Sequence, residues 1–406
     1  MTANATAGRS RRPLAEFIVP VGSVTLLVLM LGLVLASAGK TLGYDYTCYE
    51  SAARHLLDGK PIYDNSFAIN VGTCPGTYTY PPAFAVGLVP WLLFGGAAAG
   101  AWCVAMAACF LAGVAALPVR RDVRWLVVIV AAIDWPLLYA VKLGQVEPLL
   151  FLGFAAAWRW MDRPAVVGVA TALGALVKVQ PGLLGVWALV TRRYRAVAWA
   201  AVLTVALAGA ATLATGLAAW GTYLDLIRGL SGTLSLAHNF APGAAAHLAG
   251  ASDGVAAAVQ IGSVALAVAA LLAAWRWASP VAGLQVTVVA SQLLSAPLRD
   301  HYAVLLLLPV AWLVGRGRTW AALIPLLGWI ALFAYADSDS PNWLATASIP
   351  LTFFGVLALL LWEAFRERRE GRDLREGQDP REVAPTTAPA PATAPATAPS
   401  ETARIG

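Results

Sequence analysis

Two adjacent stretches decide the fold. Residues 17–37 read FIVPVGSVTLLVLMLGLVLAS, and residues 43–84 read GYDYTCYESAARHLLDGKPIYDNSFAINVGTCPGTYTYPPAF. The first is an apolar run of the length that a bilayer-crossing helix requires. The second is the longest polar interval before the C-terminal tail. It gathers Asp45, Glu50, Arg54, His55, Asp58, Lys60 and Asp64, with Lys40 at its edge, in a chain of which only 12% is charged. Apolar runs then recur as far as Trp362. The 406 residues are 59% hydrophobic, with a mean hydropathy of +0.69. An ordinary soluble domain is not this apolar. Backbone amides in lipid need internal partners, and continuous Leu/Ala/Val runs without period-two alternation select helices over a barrel. The expected fold class is therefore an all-α polytopic membrane protein.

Charge sets the expected topology. Arg9, Arg11 and Arg12 precede the first span, so the positive-inside rule places the N-terminus (1–16) in the cytoplasm and the polar interval outside. The region Pro81–Pro118 breaks at Gly95-Gly96. A short helix opening at Tyr80-Pro81-Pro82 on the outer face, followed by one span at about Ala98–Leu117, keeps Arg120, Arg121 and Arg124 inside. The succeeding spans are Trp125–Val141, Glu147–Trp158, Pro164–Val177, Pro181–Val190, Ala196–Thr215, Val255–Trp275, Val281–Ala296, Ala303–Val314, Trp320–Tyr335 and Trp343–Trp362. About twelve spans result, with both termini cytoplasmic, a membrane domain over 17–365, and a first extracytoplasmic loop over 38–97 carrying interfacial helices. A mixed loop holding Trp220, Tyr223, Asp225, Arg228, His238 and His247 separates the seventh and eighth spans. All four lysines fall outside, and of the arginines only Arg54, Arg228 and Arg299 do. The net charge of +6 is thus explained by topology, and no nucleic-acid partner is expected. Residues 366–406 turn charged and then into Ala-Pro-Thr repeats, a composition expected to stay disordered.

Ionisable groups at membrane edges are costly and therefore functional candidates. Asp45, Lys142, Gln145, Glu147, Lys178, Gln180, Arg299, Asp300 and His301 all fall at the outer ends of separate spans. Asp45 opens an expected helix, DYTCYESAARHLL, and is either its N-cap or a general base. Lys142 and Lys178 suit a phosphate or lipid headgroup, or simply snorkel. His301 beside Asp300 is either a proton-handling pair or an interfacial histidine with a structural partner. Asp337 and Asp339 read as a solvated turn. Cys48 and Cys74 share the polar loop, where an oxidising compartment favours a disulfide, whereas Cys103 and Cys109 read as packing residues. No metal motif, P-loop or dinucleotide fingerprint is present.

Five segments together resemble glycosyltransferase family 87, a family of GT-C membrane glycosyltransferases. They are DYTCYESAARHLLDGKPIY (Asp45–Tyr63), YTYPP (Tyr78–Pro82), KLGQV (Lys142–Val146), ALVKVQP (Ala175–Pro181) and SAPLRDHY (Ser295–Tyr302). Members include actinobacterial polyprenyl-phosphomannose-dependent α-mannosyltransferases that extend phosphatidylinositol mannosides. The resemblance implies an inverting transfer of a mannosyl or other glycosyl residue from a polyprenyl-phosphate sugar to a glycolipid hydroxyl. It implies a site on the extracytoplasmic face of the plasma membrane, with membrane lipids as partners and no cofactor or metal. Asp45 and His301 fall on the catalytic positions. Lys142, Gln145, Lys178, Arg299, Asp300 and Tyr49 are the candidates for binding the donor phosphate or substrate. The Cys48–Cys74 pair departs from the family pattern and leaves the acceptor open. The competing class is a lipid or glycan transporter without transferase activity. It would bring internal repeats and midspan charges, but the halves show no repeat and Asp134 is the main midspan charge.

Overall fold

The computed structural model describes residues 12–63, 78–232, 238–295, 297–335 and 341–376. The chain is an all-α membrane protein, with no strand among the described residues. Helix α1 (Arg12–Ser37) leads through a short 3-10 turn to α2 (Tyr44–Leu57), the helix expected in the polar loop. Next come α3 (Pro82–Leu88), a 3-10 stretch over Val89–Ala97, and α4 (Ala98–Ala116). Pro at the start of α3 suits a first turn whose N–H would have no partner. The expected break falls at Gly95, which has φ 52° and ψ −131°.

The single expected span Trp125–Val141 is two helices. α5 (Arg121–Ala132) and α6 (Trp135–Leu143) meet at an angle of 67°. Pro136 removes a backbone donor, and the Asp134 carboxylate caps the new helix by accepting from the Leu137 N–H (3.1 Å). The midspan charge is therefore a helix cap at a break. α7 (Glu147–Arg159), α8 (Pro164–Val177), α9 (Leu183–Val190) and α10 (Tyr194–Thr215) follow. The mixed loop folds into α11 (Ala218–Gly232) and α12 (Pro242–Leu248). α13 (Asp253–Trp277), α14 (Pro280–Leu293), a 3-10 segment over Asp300–Leu306 and α15 (Leu307–Gly315) lead to a further 3-10 stretch, Thr319–Phe333. The last helix, α16 (Trp343–Glu376), continues through 366–376, where the composition predicted disorder. Arg366 supports the continuation by reaching Glu363 and Glu370 one turn away on either side (both 3.4 Å).

Among the described residues, five helices are long and apolar enough to cross a membrane alone, and the α5–α6 pair adds a broken sixth. The other apolar segments are shorter, at 10–17 residues. The core lies around α14 and the Asp300–Gly315 stretch, where every residue from Ala282 to Leu293 and from Asp300 to Val314 is buried. α13 packs on α14, and α1, α10 and α13 expose large apolar side chains such as Leu29, Val205 and Ile261.

Small residues let the helices close on one another. A Cβ on Gly168 of α8 would collide with Trp199 Cβ and lie 2.9 Å from the Ala196 carbonyl oxygen and the Ala200 nitrogen of α10. Backbone cannot step aside as a side chain can. Gly168→Val is expected to lower stability by about 1–3 kcal/mol, read as a drop in thermal midpoint in detergent. Gly153→Ala, whose added Cβ meets nothing within 4 Å, serves as the control that leaves it unchanged or higher.

Candidate active site

The site is built on the docking of α2 against the turn that ends α6. Gly43 precedes α2 at φ 65°, and its N–H donates to the Lys142 carbonyl (2.8 Å). Gly144 ends α6 at φ 74°, and its carbonyl accepts from the Trp102 indole (2.7 Å). Left-handed backbone favours glycine at both positions, and space demands it as well. A Cβ on Gly144 would sit 3.0 Å from Tyr46 Cβ, and one on Gly43 would sit 2.8 Å from Ala99 Cβ.

This contact brings Asp45, in the first turn of α2, to Gln145. The N-cap is Gly43 and takes no side-chain bond, so Asp45 is not the cap. Its carboxylate instead accepts from the Gln145 amide, a hundred residues away in sequence. The amide is oriented by its other end: Tyr80 donates to Gln145 Oε1 (2.9 Å), and the Tyr49 hydroxyl donates to that of Tyr80 (2.8 Å). Burial pushes the Asp45 carboxyl above its ordinary value. His301, the Gln145 hydrogen bond and Arg299 pull it part of the way back, and Glu147 adds a further upward push. Burial, then the Asp45 charge, also raises the Tyr49 phenol, so that it stays a neutral donor.

A second cluster lies alongside. Glu147, the first residue of α7, is 1% exposed and pairs with Lys178 at the end of α8. Two buried ions compensate one another where either alone would be costly. The Lys178 ammonium also lies 4.1 Å from the Tyr302 ring centroid and 5.6 Å from that of Tyr80. His301 is buried between two carboxylates, with Nε2 3.8 Å from Glu147 and Nδ1 3.5 Å from Asp300. Neither ring nitrogen closes a hydrogen bond, and Glu147 Oε2 also lacks one. Asp300 instead accepts from the His301 backbone N–H (2.9 Å). Gln180 donates to the Ser295 hydroxyl (2.6 Å), tying the KVQP turn to the SAP turn. Arg299 donates to the His238 carbonyl (3.1 Å).

The structure thus brings Asp45, Tyr49 and Gln145 into one hydrogen-bonded group. It places Lys178, Asp300 and His301 around Glu147, with Arg299 near enough to act on Asp45. Lys142 contributes its backbone. Its ammonium lies 6.0 Å from the Tyr139 ring centroid and forms no ion pair among the described residues. Cys48 is disulfide-bonded; Cys74, its expected partner, lies outside the described residues, as do Asp64, Asp337 and Asp339. Cys103 and Cys109 are free. No group of three His, Cys, Asp or Glu side chains among the described residues has the arrangement to hold a metal ion.

Four residues escaped the sequence reading. Glu147 was placed on this face without a role, although an acid opening an apolar helix is a signal in itself. Tyr80 and Tyr302 lie in the segments YTYPP and SAPLRDHY but were given no role of their own. His238, in the mixed loop, has φ 55°, one of two non-glycine residues with positive φ among the described ones. Its ring lies against that of Tyr335, with centroids 4.5 Å apart and the planes tilted by 30°. Nothing local in the sequence marks that strain.

The sequence profile of glycosyltransferase family 87 matches residues 78–298. The chain belongs to that family. It is a glycosyltransferase. It is 28% identical over 363 residues to a polyprenol-phosphate-mannose-dependent alpha-(1-2)-phosphatidylinositol pentamannoside mannosyltransferase of Mycobacterium tuberculosis, covering 83% of this chain and 78% of that one. It is 29% identical to the protein of the same description from Mycolicibacterium smegmatis, covering 76% of each. The family match runs from Tyr78 through Lys142, Gln145, Glu147 and Lys178 to Leu298. It leaves out α2 with Asp45 and the Asp300-His301 pair, which the tertiary structure adds to the same site.

Gln145→Leu removes the amide that holds Asp45 and leaves the helices in place. Glycosyl transfer is expected to fall about tenfold or more, the scale of one hydrogen bond to a charged group. The thermal midpoint should stay close to that of the unaltered protein, and the two measurements together check the assignment.

Proposed function

We propose that this glycosyltransferase moves a mannosyl residue from a polyprenyl-phosphate donor to a hydroxyl of a phosphatidylinositol-type glycolipid. The reading places the reaction at the extracytoplasmic face, with inversion at the anomeric carbon. The observation that carries it is the Asp45 carboxylate, partly withdrawn from water, held by Gln145 and acted on by His301 and Arg299. A base near neutrality needs a carboxylate raised above its free value and held in one orientation.

In the proposed reaction Asp45 takes the proton of the acceptor hydroxyl. The oxygen then attacks the anomeric carbon of a β-linked donor, forming the new glycosidic bond. The bond from that carbon to the phosphate oxygen breaks, and polyprenyl phosphate leaves with the electron pair. His301 and Arg299 are the cationic or hydrogen-bonding groups suited to the leaving phosphate, with Lys142 as a further cation on the same side. Lys178 is compensated by Glu147, so it acts by holding that carboxylate rather than as a free cation. The Gln145 hydrogen bond fixes Asp45 in one orientation, while Asp300 is turned to the His301 backbone N–H; this supports a single base and inversion rather than a double displacement. The donor, sugar and acceptor class of the two mycobacterial relatives support this reading. The reading requires neither metal nor nucleotide.

The test supplies membranes containing the protein with radiolabelled polyprenyl-phosphomannose and a series of phosphatidylinositol mannosides. A labelled glycolipid is expected. Absence of product with every acceptor, from folded protein, would count against mannose. Asp45→Asn keeps size and hydrogen bonding but cannot take a proton, and is expected to reduce transfer by about 10²–10⁴-fold. Retained turnover in that variant would remove Asp45 as the base.

The pH profile is a separate check. A base works only when deprotonated, so kcat/KM should fall as pH drops through the Asp45 pKa. Because burial raises that pKa, the acid limb is expected above the ordinary value of 3.8. A limb at or below 3.8 would contradict the raised carboxylate.

A further inference from the structure

The proposed reaction leaves the opposite helix ends unused, and one place there has the form of a binding site. The ends of α13 and α16 lie together, with the Trp277 and Phe365 rings 5.9 Å apart. Both rings are about half exposed, at 45% and 46%. They line a cavity of about 360 Å³ together with Arg368 and Arg369. A much smaller apolar crevice of about 10 Å³ between the two helices shares both rings and is closed by Ala274, Leu361 and Ala364, so the rings themselves form the apolar wall.

The charges around it are unequally matched. Glu363 is fully buried and taken by Arg318 (2.5 Å) and Arg366 (3.4 Å). Glu367 is taken by Arg316 (2.5 Å) and by the Ser279 hydroxyl (3.0 Å), and Glu370 by Arg366 (3.4 Å). No carboxylate among the described residues pairs with Arg368 or Arg369. Among the described residues, two guanidinium groups therefore stand uncompensated at the mouth of a cavity with an aromatic wall. Guanidinium groups match phosphate oxygens with paired donors, and Trp at this level suits the boundary between headgroup and chain. A soluble anion has no use for the half-exposed aromatic wall, and a zwitterionic headgroup brings its own cation.

We propose that this is a binding site for one anionic glycerophospholipid, with its phosphate between Arg368 and Arg369 and an acyl chain against the exposed faces of the Trp277 and Phe365 rings. The site is separate from the catalytic residues, which come from the other ends of their helices.

The test uses the full chain, purified and presented with mixed phosphatidylglycerol and phosphatidylcholine, with retained lipid counted by native mass spectrometry. Preferential retention of one phosphatidylglycerol is expected. R368Q/R369Q should reduce it about tenfold, and Trp277→Ala should reduce it at unchanged net charge. R159Q/R163Q, which removes two arginines elsewhere on the same side, should leave it intact. Equal retention of the two lipids, or equal loss in the R159Q/R163Q control, would overturn the site in favour of diffuse attraction. Inorganic phosphate competing at the same concentration as the lipid would overturn the lipid in favour of a soluble anion. Glycosyl transfer in the R368Q/R369Q variant reports separately on folding and is expected to persist.

Discussion

Two left-handed glycines, Gly43 and Gly144, carry the arrangement on which the site depends. They let the start of α2 press against the turn after α6, closely enough for a backbone hydrogen bond from Gly43 to Lys142. Asp45 then falls within reach of Gln145 without needing a long side chain of its own. Tyr49 and Tyr80 occupy the other end of the amide and fix which face it turns to the carboxylate. The hydroxyls do this as neutral donors, since burial keeps the Tyr49 phenol protonated. A short acid held in this way loses little conformational freedom when a substrate arrives, which is the physical content of preorganisation.

Charge compensation determines which groups remain available for chemistry. Glu147 and Lys178 are both withdrawn from water and neutralise each other. That pair holds the start of α7 against the end of α8 and leaves His301 beside a carboxylate without a closed hydrogen bond. The segment bearing His301 is itself part of the most buried stretch of the chain. Rigid surroundings thus hold the histidine, while its ring nitrogens keep unspent hydrogen-bonding capacity. At the other end, Glu363, Glu367 and Glu370 of α16 are matched in the same way, and no acid among the described residues takes Arg368 or Arg369.

Much was legible from local pattern. Proline and glycine punctuation marked the start of α3 and the break at Gly95, and the apolar runs marked the long helices. The helix after Gly43 followed from its composition. The bend at Asp134 was harder to see, because Val127 to Val141 is uniformly apolar apart from that one residue. An acid before Trp-Pro is a helix-start signal, but a continuous hydropathy reading passes over it. The extension of α16 to Glu376 was missed for a related reason. Charged composition resembles a disordered tail until arginines and glutamates pair along one helix.

The sequence by itself determined the class of structure, the helices around the polar loop and the identities of Asp45, Gln145, Lys178 and His301 as candidates, because hydropathy, helix signals and motif resemblance are properties of neighbouring residues. Only the tertiary structure decided that Gln145 holds Asp45, that Glu147 takes Lys178 and lies beside His301, and that Lys142 acts through its backbone. It also brought His238 to Arg299 and, among the described residues, left Arg368 and Arg369 without acids. Each of these depends on which helix ends meet, and that is settled by the fit of small residues such as Gly43, Gly144 and Gly168 between helices distant in the chain.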